Sequence, residues 1–166
     1  MRRTSFEDMA CSVAQCLEVV GEWWTMLVVR DLFLRVRRFD EIQERLGISR
    51  NVLADRLEHL VAHGIVERRP YQENPVRYDY VLTEKGRALW PVLTAMREWG
   101  DEWAAPEGPP AELVHTTCGH RVRSVPTCSV CGERLELGDL LMVAGPGAGE
   151  RSPIPARREP RAAAGT

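Results

Sequence analysis

Cysteine and histidine are the side chains here best suited to metal or redox chemistry, and most of them are clustered. His115-Thr116-Thr117-Cys118-Gly119 and Cys128-Ser129-Val130-Cys131-Gly132 both read ligand-x-x-Cys-Gly, with nine residues between Cys118 and Cys128. A pair of knuckles at this spacing is the pattern of a small zinc ribbon. Glycine lets backbone amides approach the sulfurs, and four N/S ligands close a tetrahedron around Zn2+. Cys118, Cys128 and Cys131 supply three ligands. His115 is the fourth because its spacing repeats the knuckle, with His120 as the alternative. The ion would be structural, since no carboxylate base stands beside an open ligand position. An unmetallated tail with a fortuitous Cys-x-x-Cys and a redox dithiol are the competing readings.

Catalysis has no comparable foothold. None of His59, His63, His115 and His120 sits in a nucleophile motif, and no glycine-rich phosphate loop is present. The chain is therefore not expected to be an enzyme.

A different chemistry, groove recognition, is offered by Gly47–Val61. Ser49 can cap a helix whose apolar stripe is Leu53, Leu57, Leu60 and Val61, leaving Arg50, Asn51, Asp55 and His59 on the other face. A major groove accepts such a helix, although most amphipathic helices are only packed surface helices. Its neighbours separate the two readings. Cys11–Val20 reads as a short helix with Val13, Cys16, Leu17 and Val20 on one face. Glu22–Leu34 is a second helix, apolar nearly all round and so suited to a core. The basic link Arg35-Val36-Arg37-Arg38 leads into a third, Phe39–Leu46, burying Phe39, Ile42 and Leu46 and stopping at Gly47. Two short helices across a tight glycine turn make a helix-turn-helix candidate.

After Gly64 the period changes to alternation. Ile65–Tyr71 and Val76–Leu82 read as a hairpin with Gln72–Pro75 as its turn, the position of a wing. Thr83 can cap a last long helix carrying Leu89, Leu93, Met96, Trp99 and Trp103, which Pro91 should kink. The expected fold is mainly α with a small β-hairpin: a winged helix-turn-helix followed by a small zinc-ribbon-like module. The expected divisions are an N-terminal arm at 1–10, the winged helix-turn-helix and dimerisation domain at 11–103, the module at 112–143 and a disordered tail at 144–166. Some 35 residues with few large apolar groups would hardly fold without a metal staple.

Composition limits partners only loosely. A chain of 166 residues with 44% hydrophobic and 28% charged residues is that of an ordinary globular protein, and a net charge of -2 advertises no nucleic-acid binding. Lys85 is the only lysine, so abundant arginine reflects composition and any DNA argument rests on placement. No apolar run reaches the roughly 18 residues of a membrane span. Glu7 and Asp8 stand where a signal peptide would need its apolar core, so a cytoplasmic protein with reduced cysteines is expected.

Several ordered blocks also match a known family. They are Cys11-Ser12-Val13-Ala14, Gly21-Glu22-Trp23-Trp24-Thr25, Arg38-Phe39-Asp40-Glu41-Ile42, Leu46-Gly47-Ile48-Ser49 and Leu53-Ala54-Asp55-Arg56-Leu57, followed by Gly64–Tyr71, Pro75–Tyr80 and Leu82–Gly86. Together, over about residues 9–103, they resemble the HxlR-type, MarR-like winged-helix transcriptional regulators of bacteria. The resemblance implies a homodimeric DNA-binding regulator that senses a small reactive molecule or redox state.

It also implies that Ser49–His63 is the recognition helix, with Ser49, Arg50, Asn51 and Asp55 facing bases or phosphates. Arg50 could fork onto a guanine and Asn51 could pair with an adenine. Arg56 either clamps a phosphate or holds the helices together as an ion pair. Arg77 would give the wing its minor-groove or phosphate contact, and Arg38 could bind phosphate at a helix N-terminus. Cys11 occupies the position of the family's N-terminal cysteine, a thiol that some members use as a sensor. A helix N-terminus favours the reactive anion, but a packed interface residue is an equal alternative. Trp99 and Trp103, with Val13, Leu17 and Val20, exceed the needs of one small core and point to two-fold pairing. The expected function is a homodimeric repressor answering a small-molecule or redox signal. The alternative is a protein-interaction adaptor that uses the winged helix and ribbon without DNA.

Overall fold

The structure is a computed structural model that describes residues 5–148. Residues 1–4 and the expected tail from 149 onward lie outside the described residues. The chain divides into two compact units: Val19–Ser124, and the N-terminal segment through Glu18 together with the segment from Val125 onward.

In the first unit the core is built by helices α2 (Trp23–Phe33), α3 (Phe39–Leu46) and α4 (Arg50–Ala62), preceded by α1 (Ser12–Val20), which spans the unit boundary. Val28 and Val29 of α2, Ile42 of α3 and Leu53, Leu57 and Leu60 of α4 are fully shielded from solvent. Each fully buried aliphatic side chain contributes about 1.5–3 kcal/mol by leaving water. The apolar stripe of α4 is thus the face that fixes it in place, and its polar face is turned outward.

The expectations for the other helices need correction. In α3 only Ile42 is fully buried, while Phe39 and Leu46 are half-covered and Ile48 beyond Gly47 takes the neighbouring core position. In α1 the buried residues are Ala14 and Val20, with Val13 and Leu17 exposed. Helix α2 is not covered all round: Trp23 is 90% exposed although Thr25 and Asp31 on the same helix are buried.

The wing consists of antiparallel strands β1 (Val66–Glu73) and β2 (Val76–Leu82), joined at Asn74-Pro75. A slip in register between Pro70 and Gln72 leaves Tyr71 without a partner across the hairpin. Tyr80 N–H donates to the Arg37 carbonyl at 2.9 Å, so the link before α3 lies along the outer edge of β2.

Where one kinked helix was expected after Thr83, there are two. Thr83 Oγ1 accepts from Gly86 N at 3.1 Å and caps the single turn α5 (Glu84–Arg87). Helix α6 (Trp90–Trp103) then starts afresh with Pro91 in its first turn. A first-turn proline forfeits no intrahelical bond, so Pro91 opens a helix instead of bending one. Short strands β3 (Leu113–Val114) and β4 (Arg121–Val122) close the unit.

In the second unit the N-terminal arm is tied down. Phe6 N–H donates to Glu18 Oε2 at 2.9 Å, and Gln15 Nε2 donates to the carbonyls of Phe6, Glu7 and Met9.

Candidate nucleic-acid interface

The turn that presents α4 is built from two local effects. Gly47 adopts φ 65°, a left-handed conformation that glycine enters without a Cβ penalty, and closes α3 by donating to the Gln43 carbonyl. Two residues later Ser49 Oγ accepts from Val52 N at 3.3 Å and opens α4. Because Leu53, Leu57 and Leu60 face inward, Ser49, Arg50, Asn51 and Asp55 are exposed at the start of α4.

Three of the sequence-nominated arginines meet in one cleft. Arg38, Arg50 and Arg77, with Phe39, Tyr71 and Tyr78, line a hollow of about 450 Å³ between the α3 and α4 N-termini and the wing. Each of the first two lies on an aromatic face. The Arg38 guanidinium is 4.9 Å from the Tyr71 ring centroid and the Arg50 guanidinium 4.8 Å from that of Phe39. Arg38 also lies 4.0 Å from Asp79 and 3.9 Å from Glu41. Arg50 Nη1 donates to Asp40 Oδ1 at 2.8 Å and to Gln43 Oε1 at 3.3 Å. The guanidiniums are thus held over aromatic faces while remaining largely solvated. Arg77 is exposed on β2 opposite Gln72.

Arg56 stands apart from this cleft. Its Nη1 lies 3.6 Å from Glu22 Oε2, so in this structure it takes the second of its two expected roles and joins α4 to the start of α2.

Sequence reading missed the residues that hold this machinery. Asp31 is fully buried, and its two carboxylate oxygens divide the work: Oδ1 accepts from Arg30 at 2.8 Å and Oδ2 from Arg45 Nε at 3.3 Å. The pair joins α2 to α3. A lone carboxylate inside an apolar helix was the available signal, because burying a charge requires such partners. Tyr71 and Asp40 carried no signal of their own; they are recruited by the bulge and by the angle between α3 and α4.

The metal candidates are best described knuckle by knuckle. In the first, Gly119 N–H donates to the His115 carbonyl at 2.8 Å, and His115 Nδ1 lies 3.3 Å from Cys118 Sγ. In the second, Gly132 N–H donates to the Cys128 carbonyl at 2.9 Å, and backbone amides of Cys131 and Val130 pull the Cys128 thiol below its ordinary value. Gly119 and Gly132 take the same left-handed conformation, φ 72° and 77°. His120 closes the first knuckle through its carbonyl, which accepts from His115 N. Among the described residues no three His, Cys, Asp or Glu side chains converge on one point.

Cys11, half-buried, stands at the start of α1, its carbonyl accepting from Gln15 N at 3.0 Å. Beside it, within its unit, is an open cleft of about 790 Å³ with Met9, Val13, Met142 and Val143 in its walls.

Comparison with known proteins agrees with this architecture. An HTH-type transcriptional regulator of Mycobacterium tuberculosis (strain H37Rv) is 43% identical over 137 residues, spanning 82% of this chain and 87% of that protein. The crystal structure of PA1607, described as a candidate transcription factor, matches with a TM-score of 0.76 at 39% identity, covering 86% of this chain and 100% of that one. The redox regulator HypR in its reduced form matches with a TM-score of 0.51 at 32% identity, over 55% of this chain and 92% of that one. Residues 19–108 match the family model described as HxlR-like helix-turn-helix, and the chain belongs to that family of DNA-binding transcriptional regulators, which are not enzymes.

Proposed function

We propose that this regulator works as a homodimeric repressor, with α4 in the major groove and the wing on the flanking backbone. The carrying observation is the shared cleft of Arg38, Arg50 and Arg77, which sets three cations beside the α4 N-terminus. Ser49, Arg50, Asn51 and Asp55 are then the groove-facing residues, with Arg50 on guanine and Asn51 on adenine. Pairing is supported by α6, where Met96, Trp99 and Trp103 are 53%, 65% and 73% exposed, more apolar surface than a monomer leaves to water.

For the signal, a relative named a redox regulator and the position of Cys11 at a helix start support a thiol input, alongside a small-molecule one. The two Cys-Gly knuckles support a structural Zn2+ on His115, Cys118, Cys128 and Cys131. Bound there, the ion would cross-link a segment poor in large apolar residues.

The test is binding to the DNA upstream of the protein's own gene across a salt series. A steep loss of affinity with salt, together with preference over scrambled duplex, supports the repressor reading. Equal affinity for scrambled DNA contradicts it.

A further inference from the structure

A second cluster of arginines lies outside the DNA-facing cleft. Arg35, Arg37 and Arg87 surround a hollow of about 300 Å³ whose remaining wall is Leu32, Phe33 and the β2 residues Tyr80–Leu82. No carboxylate lines it, and none of the three arginines has an acidic partner among the described residues. The DNA-facing cleft, by contrast, carries Asp40 and Glu41 among its own lining residues. Arg35 and Arg87 are exposed and Arg37 is half-buried, so water screens their mutual repulsion and the three guanidiniums stand together without a neutralising carboxylate.

Two local features place its arginines. Arg35 has φ 63°, the one non-glycine residue in the left-handed region among the described residues. This conformation closes α2: Arg35 N–H donates to the Leu32 carbonyl at 3.1 Å and Val36 N–H to the Asp31 carbonyl at 3.0 Å, which turns the chain so that Arg35 borders the hollow. Arg87 is tethered at one point: its Nη1 donates to the Leu82 carbonyl at 2.9 Å, which keeps the guanidinium near the end of β2.

We propose that this hollow binds a small organic anion with an aromatic or compact apolar body, as the effector site of the regulator. The arginines would fork the carboxylate, a geometry that guanidinium matches better than ammonium. The body would lie on Phe33, Leu82 and Tyr80. A volume near 300 Å³ suits an aromatic acid, at the small end of ligand pockets. The site touches the elements that matter for control. Phe33 packs on Trp90 at the start of α6 with ring centroids 5.2 Å apart, and Tyr80 lines both this hollow and the DNA-facing cleft. The proposal deepens the small-molecule reading of the regulator and rests on it.

The experiment is calorimetric titration of the full chain with benzoate, benzamide and inorganic phosphate, with duplex binding measured separately on the same preparations. Benzoate should bind saturably at millimolar concentrations, benzamide at least about tenfold more weakly, and phosphate more weakly than benzoate. Arg37→Gln and Arg87→Gln should each weaken benzoate about tenfold, with duplex affinity in the absence of benzoate unchanged. Because Arg87 also holds the Leu82 carbonyl, Arg35→Gly is the second variant. It removes a guanidinium while keeping the left-handed backbone, and should weaken benzoate equally. Equal binding of benzoate and benzamide, no saturable benzoate binding, or unchanged benzoate affinity in all three variants overturns the proposal. Loss of duplex affinity in these variants without benzoate binding would also overturn it, making the cluster a contact for DNA phosphates. Duplex binding by the wild type stands or falls independently of the benzoate result.

Discussion

Arg50, at the first turn of α4, donates to Asp40 Oδ1 at 2.8 Å while its guanidinium lies 4.8 Å from the centroid of the Phe39 ring. Without DNA, the side chain best suited to read a guanine is therefore engaged by the neighbouring helix. Both members of the pair are mostly exposed, at 66% and 69% of the side chain, so water and salt screen it and it can open readily. Asp40→Asn should raise affinity for unrelated duplex more than for the operator, lowering the specificity ratio. Arg50→Ala should cost about 1–3 kcal/mol on the operator and relax sequence preference at one base pair. Fluorescence anisotropy on both duplexes reads the two effects, and a uniform loss across sequences would make Arg50 a phosphate contact.

Asp31 predicts a stability effect unrelated to DNA contacts. Asp31→Ala strips Arg30 and Arg45 of a shared buried carboxylate, but both arginines are half-exposed and can resolvate. A cost of about 2–3 kcal/mol in urea unfolding is expected, against about 1 kcal/mol for Arg45→Ala, which leaves Asp31 one partner. Equal costs for the two variants would show that the carboxylate is not the hub.

Gly86 tests how closely α5 meets the strand region. A Cβ there would collide with the Ile65 carbonyl oxygen and lie 3.0 Å from Leu82 Cδ2. Gly86→Ala gains up to about 1 kcal/mol in helix propensity but should lose about 1–3 kcal/mol to overpacking, for a net lower thermal midpoint. A stabilised variant would contradict the close approach.

For the knuckles, protein prepared without chelator should carry about one zinc per chain, and Cys128→Ser with Cys131→Ser should carry none. Metal analysis together with a thiol titration before and after chelation checks this. Full thiol reactivity without chelation would oppose a bound ion.

The proposed dimer has its own test. Trp99→Glu places a charge on the exposed apolar face of α6 and should shift sedimentation toward the monomer without lowering the thermal midpoint of the monomer core. No change in mass would remove α6 from the interface.

Elements governed by local chemistry were legible in the sequence. The Ser49 cap, the Gly47 turn and the spacing of Leu53, Leu57 and Leu60 are properties of neighbouring residues, and the structure contains all of them. Pro91 was misread because the same residue ends one helix or begins another, and only the Thr83 cap and the close packing of Gly86 decide which. Within Arg35–Arg38 the sequence singles out Arg38, at the start of α3, while Arg35 and Arg37 carry no signal beyond a basic link. Arg38 lines the cleft beside α4 and Arg37 the second hollow through their pairing along β2, while Arg35 is placed by the turn that closes α2. Asp31 and its two arginines form across helices, a relation that no periodicity encodes.

The break between α5 and α6 gives the molecule a lever. Helix α6 runs 14 residues, or about 21 Å at 1.5 Å per residue. A rotation of about 10° at the Ala88-Leu89 joint would therefore carry the far end of α6 through nearly 4 Å. If the proposed dimer is clasped along α6, that swing would change the span between the two α4 helices on a similar scale, several times the tolerance of a hydrogen bond to a base. An angular change too small to disturb the core could thus decide whether both half-sites are reached together.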